Sequence, residues 1–508
     1  MIVASFQRGM RLLGRLSMYR LVLLALAGLA VIALALSLFG LVLPGPLELI
    51  VTAAVLVGVS VGVDALARRI ARLPGRLEST LITAGILLFV VRPGLDAATL
   101  AGAAIAAAAA SASKYVLVWR GRHVFNPAAV GATVATLSTL GGSAWWVATP
   151  ALFAPLLLAA ILVLWRTEKI RVVALFLAVA VVVGTARTIA QLYAAGASTP
   201  LETLLMGVLV QSPYLFLGAF MLTEPLTLPP RRWQQGVVAA VVGLLAGWPL
   251  PVGPISLGQE RALLIGNLLA FALAARSALR LTLVGGRMLT PTVRELAFTA
   301  RGPVRFEAGQ YLELQVPHRG ADARGTRREF SIVSAPSDLP AVRIAFRDAG
   351  DRASTFKRVL ATRRPGDVLA ATGVWGDFVL PRRPDPLLLV AAGIGVTPFV
   401  SQLRELQARG VDRDIVLLYV AARADELAYR DELAGARVVV FTPDAPADLP
   451  PGWTWAGGER LTADAVRRLV PDVAARRAFV SGPPGLIADL APALRRARSV
   501  TTDAFAGY

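Results

Sequence analysis

Long apolar runs dominate the first 275 residues of the chain, and short alternating runs dominate the rest. A membrane span needs about 20 apolar residues, and about ten stretches approach or reach that length, the third and sixth being short. They lie near residues 20–43, 47–66, 79–92, 97–118, 127–145, 150–165, 171–192, 201–222, 234–249 and 260–275. This pattern predicts a polytopic α-helical membrane domain over residues 1–275.

From Arg280 onward, apolar and polar positions alternate with a period of two over short runs. These runs are LRLTLVGGRML, TVRELAFTA, QYLELQVP, REFSIVSAP and AVRIAFRD. Alternation of this kind, broken by turn residues, is typical of an antiparallel barrel or sandwich. We therefore predict an antiparallel β-barrel domain over residues 276–383.

The pattern of apolar and polar residues changes again at Pro386, where continuous apolar runs alternate with helical stretches. The runs are PLLLVAAGIG, RDIVLLYVAA, ARVVVFTP and ARRAFVSGPPG. Buried strands separated by helices indicate a parallel, doubly wound α/β sheet, predicted over residues 384–508. The segment PRRPDP (381–386) is the predicted linker. The expected fold class is thus a multi-domain protein with a helical membrane bundle, a β-barrel and an α/β domain.

The net charge of +19 is distributed in a way that predicts membrane orientation. Basic residues cluster after every second predicted span, whereas the opposite loops hold almost none. The clusters contain Arg68, Arg69, Arg72, Arg76, Lys114, Arg120, Arg122, Arg166, Lys169, Arg171, Arg231 and Arg232. By the positive-inside rule, the N-terminus and the soluble half face the cytoplasm of a multi-pass plasma or inner membrane protein. Such short clusters do not indicate a nucleic-acid partner.

The scarcity of cysteine and histidine excludes several redox groups. The chain has no cysteine, which excludes disulfides, cysteine-ligated iron-sulfur clusters and thiolate metal sites. Its only histidines are His123 and His318, whereas stacked haems need about two axial histidines each. We therefore predict no haem, no iron-sulfur cluster and no metal site.

Two motifs in the alternating region are candidate anion sites. Arg328, Phe330 and Ser331 share one predicted strand, and an arginine fork suits a phosphate, although such a strand is also ordinary. The second motif lies at a predicted helix start and consists of Gly350, Ser354 and Thr355. Hydroxyls and free amides at a helix start receive a pyrophosphate well, but a plain helix cap explains these residues equally well.

Three further motifs lie in the α/β region. A glycine-rich turn follows a buried strand and opens a helix, as phosphate binding requires. It contains Gly393, Gly395, Thr397 and Pro398. A second loop, after another predicted strand, contains Ser481, Gly482 and Pro483. The chain ends on the aromatic tail DAFAGY with Phe505, Gly507 and Tyr508, which a frayed terminus would also explain.

Taken in order, these five motifs resemble the ferredoxin-NADP reductase superfamily across about 230 residues. The resemblance implies that Arg328 binds a flavin phosphate, Phe330 covers the flavin ring and Ser331 reaches its N5 atom. It further implies that Ser481, in place of the common cysteine, lies beside the nicotinamide, and that Tyr508 covers the flavin. FAD and NAD(P)H are therefore the expected cofactors. Arg423 could bind a 2′-phosphate or form a helix salt bridge, which leaves NADH and NADPH open with a slight lean to NADH.

Polar motifs also stand at two predicted helix ends in the membrane half. They consist of His123, Asn126, Pro127, Thr223, Glu224 and Pro225. Capping explains them by spacing alone. Together with LITAGILLFVV, HVFNPAAVG, LVLWRTEKIRVV and LFLGAFMLTEP, however, they resemble the D-subunit of the Rnf complex and the B-subunit of the sodium-pumping NADH:quinone oxidoreductase. The resemblance implies a flavin-bearing membrane subunit. The segment that carries the linked threonine in that family is missing here, so the expected second flavin is non-covalent FMN or riboflavin.

These observations predict a membrane flavoprotein oxidoreductase that passes electrons from NAD(P)H through FAD to a membrane or trans-membrane acceptor. Quinone, a second flavin in the bundle and a redox protein are the candidate acceptors. A redox-driven ion transporter is one alternative, although few acidic residues lie within the predicted spans. A cytoplasmic reductase that is merely anchored by the helices is the other.

Overall fold

The computed structural model describes residues 18–71, 77–119, 122–167, 169–253, 255–274, 279–318, 326–350, 353–433 and 436–504. The chain divides into two compact units, Met1–Ala275 and Arg276–Tyr508. The first unit is helical and the second contains two six-stranded sheets.

The N-terminal unit consists of apolar helices joined by short connections. They are Met18–Leu38 (α1), Pro46–Ala71 (α2), Leu77–Val90 (α3), Ala97–Val116 (α4), Pro127–Leu137 (α5), Pro150–Thr167 (α6), Ile170–Ala194 (α7), Leu201–Gln211 (α8), Tyr214–Phe216 (α9), Arg232–Gly247 (α10) and Gln259–Leu273 (α11). Helix α9 continues as a π-helical segment, Leu217–Leu222. Two short ribbons, Val118–Trp119 (β1) with Arg122–His123 (β2) and Pro251–Val252 (β3) with Ile255–Ser256 (β4), complete the unit.

The prediction of ten spans is wrong. Within the described ranges, only α1, α2 and α7 are long and apolar enough to cross a membrane, or four spans if α8 and the segment after it count as one, bent by 48°. Helix α5 has 11 residues and is therefore about 16 Å long, whereas the hydrocarbon core is about 30 Å thick. The predicted run 127–145 combined this short helix with irregular chain.

The alanine-rich segment forms helix α4 and packs closely against α5. Ala106, Ala107 and Ala110 are fully buried. A Cβ atom at Gly131 of α5 would overlap the carbonyl oxygen of Ala106, so the glycine is what permits this contact. Small residues allow such close backbone approach between apolar helices, and the alanine-rich segment 101–115 is therefore part of a packed helix.

The first sheet of the C-terminal unit is antiparallel, as predicted. Its strands are Leu279–Thr290 (β5), Val293–Arg301 (β6), Tyr311–Gln315 (β7), Arg327–Ser331 (β8), Ala341–Arg347 (β9) and Val368–Trp375 (β10). They are ordered β8-β7-β10-β5-β6-β9. An isolated bridge between Ile332 and Ile344 joins the two ends of this order. The inward positions form one apolar core that includes Leu281, Phe298 and Phe346, which is the physical reason for the period-two pattern.

The second sheet is parallel throughout, again as predicted. Its strands are Leu387–Ala392 (β11), Ile415–Val420 (β12), Arg437–Phe441 (β13), Trp453–Trp455 (β14), Arg477–Gly482 (β15) and Ser499–Ala504 (β16). Helices Thr397–Ala408 (α13), Ala463–Leu469 (α14) and Pro484–Leu494 (α15) alternate with them, and Thr355–Ala361 (α12) belongs to the antiparallel half. The order β14-β13-β12-β11-β15-β16 places the change of winding direction between β11 and β15.

Candidate functional site

The winding change places two of the predicted motifs side by side. In doubly wound sheets, ligands bind at the carboxyl ends of the strands where the strand order reverses, here the ends of β11 and β15. The turn Gly393–Val396 follows β11 directly and leads into α13. The loop that begins at Gly482 follows β15. The glycine-rich turn and the serine-bearing loop therefore meet at the edge where a dinucleotide is expected.

Backbone geometry explains the glycines of this turn. Gly393 has φ +54°, in the left-handed region that favours glycine. A Cβ atom at Gly395 would overlap the carbonyl oxygen of Ser481. Thr397 donates its hydroxyl to the carbonyl of Ile394 at 2.9 Å, which closes the turn. The turn is thus pressed against the end of β15.

Ser481 carries a buried hydroxyl that no other described residue satisfies. The residue is fully buried, and its Oγ atom has no hydrogen-bond partner within the described part of the chain. An unpaired buried hydroxyl costs free energy of about 1–3 kcal/mol, and the predicted place of Ser481 beside the nicotinamide stays a prediction. Pro483 is the N-cap of α15, which leaves Gly482 and Pro483 at the mouth of the same edge.

The predicted flavin motif lies on β8 of the antiparallel sheet. Arg328 donates to the carbonyl of Arg327 at 2.6 Å, and its guanidinium lies 5.0 Å above the ring of Phe356. Phe330 is only 6% exposed and stacks on Phe356 with ring centroids 6.0 Å apart. Phe330 therefore belongs to the barrel core, and its predicted role as a flavin cover remains a prediction. Ser331 is buried and pairs in register with a residue of β7.

The predicted pyrophosphate motif forms a capped helix start. Ser354 is the N-cap of α12, and its Oγ accepts from the amide of Lys357 at 3.4 Å. Thr355 is the first helical residue, and Gly350 has φ +56°. The capping interpretation is thus realised, and a role in phosphate binding stays a prediction. Phe505 and Tyr508 lie outside the described residues.

A buried polar cluster that the sequence did not indicate connects the two sheets. The hydroxyl of Tyr429 donates to Oε2 of Glu295 at 2.9 Å. Glu295 is 4% exposed and also binds Arg287 at 3.0 Å and Arg343 at 3.4 Å. Glu426 accepts from the barrel hydroxyls of two threonines near β5. No local signal could have found a pairing between residues 134 positions apart.

Tyr429→Phe should destabilise the C-terminal unit. Burial first, and then the negative charge of Glu295, raises the pKa of the Tyr429 phenol. The phenol therefore stays protonated in the fold, and its contribution to stability should fall as pH rises above about 10, where the unfolded chain ionises. Loss of a hydrogen bond to a charged group costs about 1.5–3 kcal/mol.

Differential scanning fluorimetry of the detergent-purified protein checks this prediction. The unfolding temperature of Tyr429→Phe should drop by about 3–12 °C, since 1 kcal/mol corresponds to about 2–4 °C for a unit of this size. Tyr193→Phe is the control, because that ring is 86% exposed. Equal unfolding temperatures for the two variants would show that the Glu295 contact contributes nothing.

In the N-terminal unit, the two predicted polar motifs converge. The Asn126 amide donates to Oε2 of Glu224 at 2.8 Å and to the carbonyl of Met221 at 3.2 Å. His123 Nδ1 lies 3.4 Å from the other Glu224 oxygen. Asn126 is also the N-cap of α5, with Pro127 as its first residue. The capping interpretation of Asn126 is therefore correct but incomplete, because the same side chain also donates a hydrogen bond to the Glu224 carboxylate.

Asn126, Pro127 and Glu224 line a cleft whose enclosed space is about 80 Å³, the rest of it being open to its surroundings. Thr223, Glu224 and Pro225 form one wall, while Val22 and Ile82 are among the apolar residues opposite. Thr223 donates its hydroxyl back to the carbonyl of Ala219 at 2.7 Å, so it serves its own helix. The cleft combines one polar corner with an apolar body.

Two acidic residues of this unit are more deeply buried than the sequence indicated. Glu260 is 3% exposed and accepts from the indole of Trp145 at 3.2 Å. Asp64 is also 3% exposed and accepts from the hydroxyl of Tyr115 at 2.5 Å. Charged groups inside apolar helices are costly, and they usually mark function. Glu260 and Asp64 therefore join Glu224 as candidate residues of the membrane half.

Comparison with known proteins supports the reading of the C-terminal unit. Residues 389–491 match the family profile described as an oxidoreductase NAD-binding domain. Ferredoxin-NADP reductase B of Sorangium cellulosum is 39% identical over 155 residues, which are 30% of this chain and 61% of that protein. The reductase subunit of an aromatic O-demethylase from Amycolatopsis sp. is 31% identical over 236 residues, 42% and 66% of the two chains. The chain thus spans less than two thirds of these relatives.

Among solved structures, a ferredoxin NADP+ reductase from Neisseria gonorrhoeae with bound FAD and NADP has 20% sequence identity. It covers 45% of this chain and 98% of that chain, with a TM-score of 0.38, too low to carry a functional argument.

The residues present fit the two cofactors of this family. Gly395 lets the turn lie directly against the end of β15, and Ser481 carries a buried hydroxyl without a partner among the described residues. Arg328 supplies a fork of donors on the neighbouring sheet. Residues 389–491 therefore match an NAD-binding oxidoreductase domain, and the C-terminal unit resembles FAD- and NAD(P)H-dependent reductases of the ferredoxin-NADP reductase type.

Proposed function

We propose that the protein is a membrane-bound flavoprotein oxidoreductase that passes electrons from NAD(P)H through FAD to an acceptor in or across the membrane. The observation that carries this proposal is the contact between Gly395 and Ser481 at the reversal of strand order. It brings a glycine-rich turn, and a hydroxyl without a partner in the described part of the chain, to the edge where such sheets bind a dinucleotide.

Four parts of the module have defined roles in this proposal. The turn after β11 presents its backbone to the pyrophosphate of the nicotinamide nucleotide, and Ser481 orients the nicotinamide by its hydroxyl. Arg328 holds the flavin phosphate, and Ser331 donates a hydrogen bond to the flavin ring. FAD, when bound, supplies the conversion of a hydride into single electrons.

The apolar helices of the N-terminal unit hold the module at the membrane in this proposal. Among the residues that the structure describes, three helices are long and apolar enough to span it, or four if the bent pair counts as one span. The basic residues Arg68 and Arg69 at the end of α2 favour a cytoplasmic position for that end. A cytoplasmic module would meet the NAD(P)H pool of the cell directly.

We further propose that this unit is related to the Rnf D-subunit and receives the electrons. Convergence of Asn126 and Glu224 in one cleft supports this proposal. A cleft with one polar corner and an apolar body suits a flat redox ring, such as a quinone or a non-covalent FMN or riboflavin. A redox protein at the membrane is the remaining candidate acceptor.

The purified protein should contain flavin and oxidise NAD(P)H with quinone. Detergent extraction, a flavin spectrum, and a count of flavin before and after acid precipitation measure the cofactor content. We expect about one acid-released FAD per chain from the module and bleaching of its absorbance by NAD(P)H. Dithionite is the control, since it reduces intact flavin without a nicotinamide site.

The possible outcomes distinguish electron transfer into the helical unit from a purely anchoring role of the helices. Flavin in excess of one per chain, or rapid quinone reduction, supports electron transfer into the helical unit. One FAD per chain without quinone reduction would indicate that the helices serve only to anchor the module. Flavin that dithionite bleaches and neither NADH nor NADPH bleaches contradicts the proposed function.

A further inference from the structure

The segment 421–433 lies at the carboxyl end of β12, the strand beside β11. In doubly wound dinucleotide domains, the residues after the second strand read the ribose 2′ position: an acid accepts a 2′-hydroxyl, and an arginine accommodates a 2′-phosphate. Ser481, at the end of β15, lies at the same edge, because β15 pairs with β11 on its other side. Segment 421–433 is therefore placed to distinguish NADH from NADPH.

The arginine of this segment is already engaged by its neighbours. Arg423 donates from Nε to one oxygen of Asp425 at 2.8 Å and from Nη2 to the other at 2.6 Å. Glu426 lies 3.8 Å from the same guanidinium. One cation faces two carboxylates, so the local charge is negative despite the presence of arginine.

The backbone and Glu426 are fixed independently of any ligand. Glu426 accepts from the hydroxyls of Thr290 and Thr292 at 2.8 and 2.7 Å. The amide of Ala428 donates to the buried hydroxyl of Tyr419 at 3.1 Å. Tyr429 is held to Glu295 although its φ of +61° is unusual for a bulky residue. Glu426 therefore cannot easily move away from an approaching phosphate, and Asp425, whose side chain is 52% exposed, is held by the Arg423 fork.

We infer that Asp425 is the specificity-determining residue of the module and that it selects NADH over NADPH. This inference rests on the proposed function of the module. Asp425 accepts the ribose 2′-hydroxyl of NADH and, at the same time, occupies the Arg423 fork that a 2′-phosphate would need. A phosphate carries a charge of about −1.5 to −2 at pH 7, so its repulsion by the carboxylates of Asp425 and Glu426 disfavours NADPH.

The test compares kcat/KM for NADH and NADPH, with flavin bleaching as the readout in the full-length protein. The wild type should prefer NADH by about 10- to 100-fold, the range that a few kcal/mol of charge repulsion gives. Asp425→Asn keeps the shape and frees Arg423, so it should raise kcat/KM for NADPH at least tenfold. The change should appear in KM rather than in kcat.

Two further variants make the result specific. Arg423→Ala combined with Asp425→Asn should lose most of the gain, because the freed guanidinium is its cause. Asp444→Asn is the control: it removes an equal charge from an exposed residue that follows β13. The NADH preference of the wild type should also shrink as salt rises from 0.05 to 0.5 M, about a threefold decrease in Debye length.

Some results would overturn the inference. The inference is contradicted if the wild type uses NADPH as well as NADH. It is also contradicted if Asp425→Asn leaves the ratio of kcat/KM for NADH to kcat/KM for NADPH unchanged. Neither result would contradict the proposed reductase function. Flavin content, measured for each variant, shows that the barrel is folded. If neither nucleotide bleaches the wild-type flavin, the proposed function is contradicted, and the role of Asp425 in nucleotide selection is contradicted with it.

Discussion

Arg328→Ala should yield a folded protein that has lost most of its FAD. Arg328 lies on β8 with its guanidinium above Phe356, and this contact orients the side chain on the sheet. A charge-assisted contact to a phosphate contributes about 1.5–3 kcal/mol. We therefore expect the flavin affinity to fall by about 10- to 150-fold. The measurement is the ratio of flavin absorbance to protein after purification, followed by titration with added FAD.

Two companion variants separate this effect from a general loss of charge. Arg301→Ala removes an exposed guanidinium from β6 of the same sheet, where its Nε donates to Thr282 at 2.8 Å. Arg328→Lys keeps the charge and loses the planar fork, so its flavin content should lie between those of Arg328→Ala and Arg301→Ala. Wild-type flavin content in Arg328→Ala would show that another residue binds the phosphate.

Gly395→Ala should abolish reduction of the flavin by NAD(P)H without removing the flavin. The new methyl group would overlap the carbonyl of Ser481, and that atom belongs to the backbone of a buried strand. The turn after β11 must therefore shift outward, into the space where the nucleotide phosphates approach. A misplacement of about 1 Å can cost about 100-fold in rate, and we expect at least that decrease in the bleaching rate.

Gly485→Ala is the matched control, because a Cβ atom at Gly485 meets open space and the residue stands in helix α15. It should leave the bleaching rate unchanged. Bleaching by dithionite and an unaltered flavin spectrum would establish that the Gly395→Ala protein is intact. A normal rate with NAD(P)H in such a protein would mean that the nucleotide binds elsewhere.

The strands of the reductase module were predictable because their pattern is local. Leu387–Ala392 is apolar on both faces since helices cover both sides of a parallel strand. Leu279, Leu281 and Leu283 alternate with polar residues because only one face of their strand meets the core. In both cases, burial follows from positions a few residues apart.

The number of membrane spans was not predictable in this way. Hydropathy counts apolar residues whether or not they belong to one continuous helix. Helix α5 ends at Leu137, and the apolar chain after it contains turns, including left-handed backbone at Thr139 and Trp145. Hydrogen bonding between distant segments, such as Ala144 to Val90, decides where a helix stops, and composition does not record it.

By itself, the sequence determined the two sheets, the turn at Gly393 and the motif around Arg328, since each depends on neighbours along the chain. Only the tertiary structure decided that Gly395 lies against Ser481, that Glu295 holds Tyr429, and that Asn126 holds Glu224. Those contacts join residues 86, 134 and 98 positions apart. Their energies depend on distances that the packing of whole elements sets, and no local pattern of hydrophobic and polar residues encodes them.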